Sequence, residues 1–160
     1  SLHMSENKKG SERITLRSFA SADAAVLCRF TYSSLSVGQA EGLIAQWNTK
    51  QFQGRYFEMF AIVADGEIVG MISLYQHTVD VISIGPEIFA PYRRRGYAKT
   101  ALRYACGIAA EKGYRTVSQQ IRTENTASIA LHRSLGFETD GAVILNDKGN
   151  AVCIYQKTLL

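Results

Sequence analysis

Apolar and polar residues repeat along the chain with two different periods, and the two periods divide it into strands and helices. Alternation with period two predicts seven strands, at Arg13–Phe19, Phe57–Ala64, Glu67–Gln76, Val79–Phe89, Thr116–Ile121, Phe137–Leu145 and Ala151–Leu159. Apolar residues at helical spacing predict four helices, at Ala24–Phe30, Val37–Trp47, Tyr97–Lys112 and from Asn125 to Leu135. The predicted order is therefore β-α-α-β-β-β-α-β-α-β-β, an α/β fold built on a mixed sheet.

Turn and capping residues support these boundaries. Asp65-Gly66 is a two-residue turn of the kind that closes hairpins, so the second, third and fourth strands should form an antiparallel meander. Gly113 and Gly136 stand where the last two helices should end. Ser21 or Asp23 is expected to cap the first helix. The polar stretch 48–55 is expected to be a loop.

A chain of 160 residues is of the size of one domain. Residues 1–10 are polar and lack the apolar stretch of a signal peptide, and Ser1–Met4 resembles a cloning remnant. We therefore expect a disordered segment at 1–10 and a single folded domain at 11–160. No apolar run approaches the ~18 residues that a membrane span requires.

The three cysteines, Cys28, Cys106 and Cys153, lie far apart and lack CxxC spacing. This pattern disfavours a disulfide framework and a zinc site, so we expect no bound metal. Because each cysteine has apolar neighbours, we predict buried thiols in a reducing compartment, which favours a cytoplasmic protein.

The positive charge of the chain is concentrated in one place. Its formal net charge is +4, and five cations without an intervening acid fall within residues 93–103. The rest of the chain is close to neutral. A single basic cluster suits a compact polyanionic ligand better than the extended footprint of a nucleic acid, so we expect neither a nucleic-acid nor a membrane partner.

The basic cluster begins in a loop that precedes the clearest helix. In Arg93-Arg94-Arg95-Gly96-Tyr97-Ala98, Gly96 and Ala98 remove bulk where a ligand would press against the backbone. Phosphates bind at helix starts because several backbone N–H groups converge there and the helix dipole is positive at that end. The loop follows a predicted strand, which is the arrangement that anion binding needs. The arginines alone could instead form a solvated surface.

Two segments of the chain resemble motifs of the GNAT superfamily of N-acetyltransferases. Residues 88–98 are similar to that family's strand end and its R/Q-x-x-G-x-G/A loop. Residues 124–137 are similar to its N-x-x-[AS]-x-x-x-Y-x-x-x-G-F helix, with His132 at the tyrosine position. The order of elements also agrees, so the resemblance covers roughly residues 14–159 and identifies 11–160 as a single N-acetyltransferase domain.

The resemblance implies a GNAT-like fold whose sheet is splayed between the fourth and fifth strands, with acetyl-coenzyme A in the opening as co-substrate. It implies that the amides of Arg94 to Ala98 hold the pyrophosphate and that the strand end near Ile88 and Phe89 pairs with pantetheine. Asn125 would contact the pantetheine arm from the opposite side. The residues expected to bind the cofactor are Ile88, Phe89, Arg93, Arg94, Arg95, Gly96, Tyr97, Ala98, Asn125 and Ser128.

Acyl transfer to an amine needs a group that receives the amine's proton and one that protonates the leaving thiolate. At helical spacing Asn125, Ser128 and His132 share one face. By resemblance His132 takes the position of a tyrosine acid, although an imidazole can either donate or accept a proton. The alternative is a histidine that satisfies a polar boundary of the core.

The general base is the more open assignment. The place where many relatives carry a glutamate holds Gln120, which cannot accept a proton. We expect Glu87, at the end of the fourth strand, to serve instead; its rivals are Asp80, His77 and a chain of water molecules.

The expected function is transfer of an acetyl group to a primary amine of a small molecule, an amino-acid derivative or a peptide N-terminus. His132-Arg133 before Leu135-Gly136-Phe137 resembles the amino-acid-type enzymes somewhat more than the ribosomal-protein branch. The alternative is a non-catalytic acyl-CoA-binding sensor domain, and a homodimer is left open. Four aromatic residues fit either an acceptor wall or core: Trp47, Phe52, Tyr56 and Phe57.

Overall fold

The computed structural model describes the backbone of residues 2–7 and all of residues 13–159. Its strands are β1 (Leu2–Asn7), β2 (Arg13–Ser18), β3 (Gln51–Phe52), β4 (Arg55–Ala64), β5 (Glu67–Gln76), β6 (Val81–Ile88), β7 (Thr116–Arg122), β8 (Val143–Leu145) and β9 (Ala151–Thr158). Its helices are α1 (Ala24–Phe30), α2 (Val37–Trp47), α3 (Tyr97–Glu111) and α4 (Thr126–Ser134). Short 3-10 turns precede α1 and α3 at Ser21–Asp23 and Ala90–Tyr92.

The described strands form one sheet in the order β1-β2-β4-β5-β6-β7-β9-β8, with β3 paired to β4 beside that path. All of these pairs are antiparallel except β6 with β7. The predicted α/β class and mixed sheet are confirmed. The Asp65-Gly66 turn is confirmed as well, because both residues have positive φ, at 48° and 84°.

The sheet has a core on each face. The larger core joins the sheet to α3, whose buried positions include Ala101, Leu102, Ala105 and Ile108. The smaller core lies under α1 and α2 and contains Trp47, which packs against Phe19 at 5.4 Å between ring centroids. The site described below lies where the sheet between these two cores opens.

The chain differs from the sequence-based expectation at its start. Residues 2–7 form a strand that pairs with β2, where a disordered segment was expected. The physical reason is that β2 would otherwise be an edge strand with unpaired backbone groups, to which a neighbouring segment can add by backbone hydrogen bonds alone. In addition, residues 51–52 pair with β4 inside the predicted 48–55 loop.

The strand expected at 137–145 is also shorter than predicted. Only Val143–Leu145 forms a strand, and Glu138 makes an isolated bridge with Gln156. Between them the Thr139 hydroxyl accepts a bond from the amide of Gly141, and the Asp140 carboxylate accepts one from the amide of Ala142. These local bonds take the place of the strand ladder.

The helix caps are partly as expected. Asn125 caps α4 by accepting a hydrogen bond from the Ser128 amide at 3.1 Å, and Gly113, with φ at 94°, follows the end of α3. Asp23 precedes α1 without a side-chain capping bond, because its carboxylate is engaged by Arg17 and the Ala20 amide. Ser21 bonds Glu41 instead.

No helix in the described part of the chain is long and apolar enough to cross a membrane. Across the same residues there is no group of three or more histidine, cysteine, aspartate or glutamate side chains that could hold a metal ion. All three cysteines are free thiols; Cys106 and Cys153 are buried, whereas Cys28 is half-buried.

Candidate active site

The sheet opens between β6 and β7. These parallel strands pair only at Val81 with Thr116 and at Ile82 with Val117, after which they diverge. The expected splay between the meander and the following strand is therefore present. A cavity of about 900 Å³ fills the opening. That volume is in the range of small-molecule sites.

Side chains replace the missing backbone ladder at the base of the opening. The Ser83 hydroxyl donates to the carbonyl of Ser118 at 2.5 Å. One residue further, the amide side chain of Gln119 spans the gap to Ile84: its Oε1 accepts from the Ile84 N–H at 2.9 Å and its Nε2 donates to the Ile84 carbonyl at 2.5 Å. Gln119 thus forms the floor of the cleft.

The cavity passes from one face of the sheet to the other. On the α1/α2 face it is lined by residues of β5 and β6, among them Ser73, Tyr75, Ser83 and Gly85. On the α3/α4 face it is lined by Ile84, Ala98, Gln119, Ser128, Leu131 and His132. Two substrates can therefore approach the same point from opposite sides of the sheet.

The cleft-facing edge of β6 offers few hydrogen-bonding groups. Backbone groups of alternate residues point to the same side of a strand, and those of Ile84 point into the opening, so those of Pro86 and Ile88 do too. Ile84 is covered by Gln119, and Pro86 has no N–H. The carbonyl of Ile88 accepts a bond from Arg93 Nε at 2.9 Å. The Ile88 N–H is therefore the donor that this edge can present to a ligand.

Phe89, which was expected to contact the cofactor, faces away from the cleft. Its amide donates to the carbonyl of Val69 at 2.9 Å, and its ring stacks on Phe30 at 5.1 Å. With a side chain that is only 1% exposed, it belongs to the smaller core. The strand alternation that directs Ile88 into the opening directs Phe89 to the other side, so the structure does not support this residue as a cofactor contact.

The loop before α3 carries two left-handed residues, and we refer to residues 94–98 as the nest. Arg94 and Gly96 have φ at 67° and 81°, and α3 begins directly after them. Left-handed residues in a tight turn are a feature of anion-binding nests, in which successive N–H groups point toward a common ligand. The N–H groups of the first helical turn, such as those of Ala98 and Lys99, have no acceptor within the helix and add to the same concavity.

A second cavity of about 500 Å³ lies against this nest. It shares Ala98, Ser128 and Leu131 with the larger cavity, so the two are neighbours along one path. The arginines on this path differ in orientation: Arg93 is bonded to the Ile88 carbonyl, and the Arg95 guanidinium lies over the Tyr92 ring at 5.8 Å. In the described residues, no carboxylate lies within ion-pair distance of the three guanidinium groups.

The start of α4 forms the wall opposite β6. The carbonyl oxygen of the Asn125 side chain is used as the helix cap, so its amide nitrogen is turned away from the helix as a donor. Both Asn125 and Ser128 line the larger cavity. The structure thus brings these two residues and His132 to one wall, as their spacing predicted.

His132 is buried, with 4% of its surface exposed. Its Nδ1 lies 2.8 Å from the carbonyl of Ser128, its Nε2 lies 3.3 Å from Gln119 Nε2, and the ring of Phe137 meets it edge-on at 4.8 Å. Burial lowers the pKa of His132, and the Ser128 carbonyl partly opposes that shift. The neutral imidazole is therefore the favoured form.

The candidate bases lie at different distances from the cleft. Glu87 is half-buried on the α1/α2 face, two residues from Gly85, and does not line the larger cavity. Burial, followed by the charge of Glu87, raises the pKa of Tyr32, so these two groups are neighbours. His77 does line the cavity, with its Nε2 at 2.6 Å from the Ser83 hydroxyl.

Asp80 and Gln120, the other two positions considered for a general base, differ from Glu87 and His77. Asp80 is exposed, and its backbone carbonyl accepts bonds from the amides of Arg115 and Thr116, which fixes the turn before β6. Gln120 lines the cavity but carries no titratable group.

The aromatic residues considered for the acceptor wall divide into two groups. Trp47 is a core residue, and Tyr56 lies on the opposite face, where its hydroxyl donates to Glu58. Phe52 and Phe57 instead form a cluster with Tyr75, at ring distances of 6.2 to 6.4 Å. Because Tyr75 lines the cavity, this cluster borders the α1/α2 mouth.

Sequence reasoning missed three residues of the site, namely Ser83, Pro86 and Gln119. The proline at 86 within a predicted strand was an available signal, because proline is tolerated in a sheet only where its missing N–H faces away from a partner strand. Gln119 and Ser83 carried no such signal, since a polar residue in a strand is ordinarily read as facing solvent.

A splayed sheet with a helix start beside the opening, and a cavity that reaches both faces, suits an enzyme that brings two ligands together at one point. The chain matches the profile of the Acetyltransferase (GNAT) domain over residues 13–138. That match covers well over half of its length. The chain therefore belongs to the GNAT acetyltransferase family, and it is an acetyl-CoA-dependent N-acetyltransferase.

Several known proteins are similar to this chain. It is 27% identical over 139 residues to the SPbeta prophage-derived uncharacterized N-acetyltransferase YokL of Bacillus subtilis, covering 81% of this chain and 78% of that protein. It is 28% identical over 98 residues to the [Ribosomal protein bS18]-alanine N-acetyltransferase of Escherichia coli, covering 57% of this chain and 64% of that enzyme.

Solved structures share the fold. RimL, a ribosomal L7/L12 alpha-N-protein acetyltransferase in complex with coenzyme A, superimposes with a TM-score of 0.79 at 17% identity, covering 99% of this chain and 98% of that one. YncA of Salmonella typhimurium, a putative acetyltransferase solved with acetyl-CoA, gives 0.69 at 16% identity, covering 92% and 94%. Two of these proteins are named as acetyltransferases of ribosomal proteins.

Proposed function

We propose that this enzyme transfers the acetyl group of acetyl-CoA to a primary amine by direct attack of the amine on the thioester. The acceptor is a small molecule, an amino-acid derivative or a peptide N-terminus. The observation that carries the proposal is the cavity that crosses the sheet, with the nest on one face and an opening at Gly85 on the other. This arrangement lets donor and acceptor meet without sharing an entrance.

The donor would lie along the α3/α4 face. Its pyrophosphate fits the nest formed by the amides from Arg94 to Ala98, with Arg93 and Arg95 adding charge at the rim. Its pantetheine arm would run between the Ile88 N–H and the side chains of Asn125 and Ser128. Ile88 lines the smaller cavity, Asn125 lines the larger one, and Ser128 lines both. Tyr97 begins the helix and is buried beneath this loop.

The acceptor would enter from the α1/α2 face. Gly85 leaves a gap there, and a Cβ at this position would lie 3.1 Å from the Ser73 hydroxyl. The cluster of Phe52, Phe57 and Tyr75 supplies an apolar border to the same mouth. A peptide N-terminus suits this opening, and the relatives that act on ribosomal proteins point to the same class of acceptor.

The chemistry needs the amine to attack as a neutral nucleophile. Its nitrogen bonds to the carbonyl carbon, the C–S bond breaks, and the electron pair leaves with sulfur. The thiolate takes up one proton for the one that the amine gives up, so the transfer is balanced. We propose Glu87 as the group that receives the amine's proton, directly or through water, because it lies on the acceptor face beside Gly85. His77, fixed by Ser83 in the cavity wall, is the competing base.

His132 is proposed as the second acid–base group. It lies on the wall that would face the thioester, and the edge of its ring near Gln119 borders the larger cavity. Because burial lowers its pKa, the ring is neutral at neutral pH and is available to accept a proton.

We further infer a cytoplasmic location and a single N-acetyltransferase domain over residues 11–160. Three free cysteines support a reducing compartment. A homodimer remains a hypothesis that light scattering of the purified protein would test.

The decisive experiment measures thiol release from acetyl-CoA with a panel of amines that includes peptides with free N-termini. Turnover with a peptide and not with its N-terminally blocked counterpart supports the proposal. Binding of acetyl-CoA without turnover on any acceptor would favour the non-catalytic sensor domain, an alternative for which the named relatives offer no support.

A further inference from the structure

The side chain of Gln119 is held in one orientation by the backbone of β6. Its Oε1 accepts from the N–H of Ile84, and its Nε2 donates to the carbonyl of the same residue. Both backbone groups have fixed polarity, so an inverted amide would set a donor against a donor and an acceptor against an acceptor. The position of the Gln119 nitrogen is therefore determined by a residue outside the catalytic wall.

That orientation decides which nitrogen of His132 carries the proton. The Gln119 Nε2 lies 3.3 Å from the Nε2 of His132 and has a second hydrogen to donate, so the histidine nitrogen there must accept. At the other side of the ring the Ser128 carbonyl, at 2.8 Å from Nδ1, can only accept, so Nδ1 must donate. The Ser128 hydroxyl, at 3.3 Å from the same nitrogen, can donate or accept and adapts to that choice. The two contacts are independent and require the same tautomer.

We propose that Gln119 is a positioning residue that holds His132 as a neutral imidazole with its proton on Nδ1. An imidazolium would direct an Nε2–H group at the Gln119 N–H, so the contact disfavours the charged ring. In the resting enzyme His132 is then a proton acceptor. This differs from the tyrosine acid that the family resemblance implied for the same position.

Gln119 is the residue whose contact with Nε2 of His132 sets the protonation of that nitrogen. Among the described residues, the hydrogen-bond and ring partners of His132 are Gln119 from β7, Ser128 from its own helix and the ring of Phe137 after it, and none of them is charged. The same hydrogen-bond chain also connects α4 through β7 to β6, across the opening of the sheet. The tautomer follows from geometry alone, whereas its consequence for turnover rests on the proposed function.

The first test is spectroscopic and needs no substrate. Long-range proton–nitrogen correlation spectra of labelled protein report which ring nitrogen is protonated, and the three histidines of the chain allow assignment by comparison with His132→Phe. We expect the wild type to show the neutral ring with its proton on Nδ1. In Gln119→Glu, the carboxylate can accept from Nε2, so the ring should become doubly protonated at neutral pH.

The matched controls are Gln156→Glu and Gln156→Met, which change an exposed glutamine on the neighbouring strand β9. They should leave the His132 signals unchanged. A proton on Nε2 in the wild type, or the same ring form in Gln119→Glu as in the wild type, would overturn the proposal. Circular dichroism and thermal unfolding establish that each variant is folded before its spectrum is interpreted.

The second test separates a positioning role from a merely structural one. Gln119→Met should lower kcat about tenfold while KM for acetyl-CoA stays within about twofold, because the phosphate loop is untouched. Gln156→Met should change neither. The proposed effect of the tautomer on turnover would be overturned if Gln119→Glu and Gln119→Met lowered kcat equally and the pH profile of kcat stayed unaltered. If no amine is turned over by the wild type, the proposed function fails, yet the spectra still decide the tautomer.

Discussion

The loop proposed to hold phosphate and the floor of the cleft are built from different parts of the chain. The loop at residues 93–98 offers backbone N–H groups whose directions follow from two left-handed residues and a helix start. The floor works with side chains, in which Gln119 bridges the diverging strands and contacts His132. A backbone site tolerates changes in its side chains but not in its φ angles. A side-chain site has the opposite sensitivity.

The largest effect is expected from changing the backbone of the loop. Gly96→Val places a β-branched residue at a φ of 81°, where such residues are strained by about 1–2 kcal/mol or more, and displaces the amides that it connects. We expect the Kd for coenzyme A to rise at least about 100-fold. Isothermal titration calorimetry measures it.

The side chains of the loop provide the contrasting variants. Arg94→Ala should weaken binding less than about tenfold, since an exposed guanidinium contributes little compared with fixed amides. Arg94→Gly removes the same charge and accommodates the φ of 67° without strain. If Arg94→Ala raises the Kd for coenzyme A more than Gly96→Val does, the loop binds through side-chain charge. The contrast between a backbone site and a side-chain site is then wrong.

The second prediction concerns the side chains of the floor. His132→Phe should lower kcat by about 100-fold and leave the affinity for coenzyme A similar, because the ring does not contact the nest. Steady-state kinetics with a peptide acceptor, combined with calorimetry, measures both quantities. An unchanged kcat would remove His132 from the mechanism.

A smaller effect should distinguish the two candidate bases on the acceptor face. Glu87→Gln is expected to reduce kcat about tenfold. The loss should be greatest at pH values where the acceptor amine is protonated in solution, because the amine then needs a group that takes its proton. His77→Gln is the matched comparison, since it keeps a hydrogen-bonding group beside Ser83. A greater loss in His77→Gln than in Glu87→Gln would assign the base to His77.

The smallest effect is a dependence of stability on pH. Burial lowers the pKa of His132, so the unfolded chain binds a proton more readily than the folded one, and folding loses free energy as pH falls below the ordinary value of about 6.5. Above that value the contribution is constant. Thermal unfolding at pH 5.5 and 7.5 should show a larger difference in the wild type than in His132→Phe. Equal differences would mean that burial of His132 has no consequence for stability.

The two regions also differ in how far they could be predicted. The loop and the helix that follows it were predicted, because glycine, a helix start and a preceding strand are local features that short stretches of sequence reveal. Phosphate binding at this loop stays a prediction. The pairing of Asn125, Ser128 and His132 followed from helical spacing in the same way. Phe89 was misplaced because one step along a strand reverses the direction of every group.

Sequence by itself determined most of the elements, the family and the place of the loop before α3, since these depend on periodicity, on motifs and on local backbone preference. Only the tertiary structure decided that residues 2–7 add a strand to β2, that Gln119 bridges β6 and β7, and that both nitrogens of His132 are engaged. Except for the contact of His132 with Ser128 inside α4, each of these contacts joins different elements of the fold. Their partners are set by how the sheet opens, which depends on packing of the whole domain and not on any local pattern.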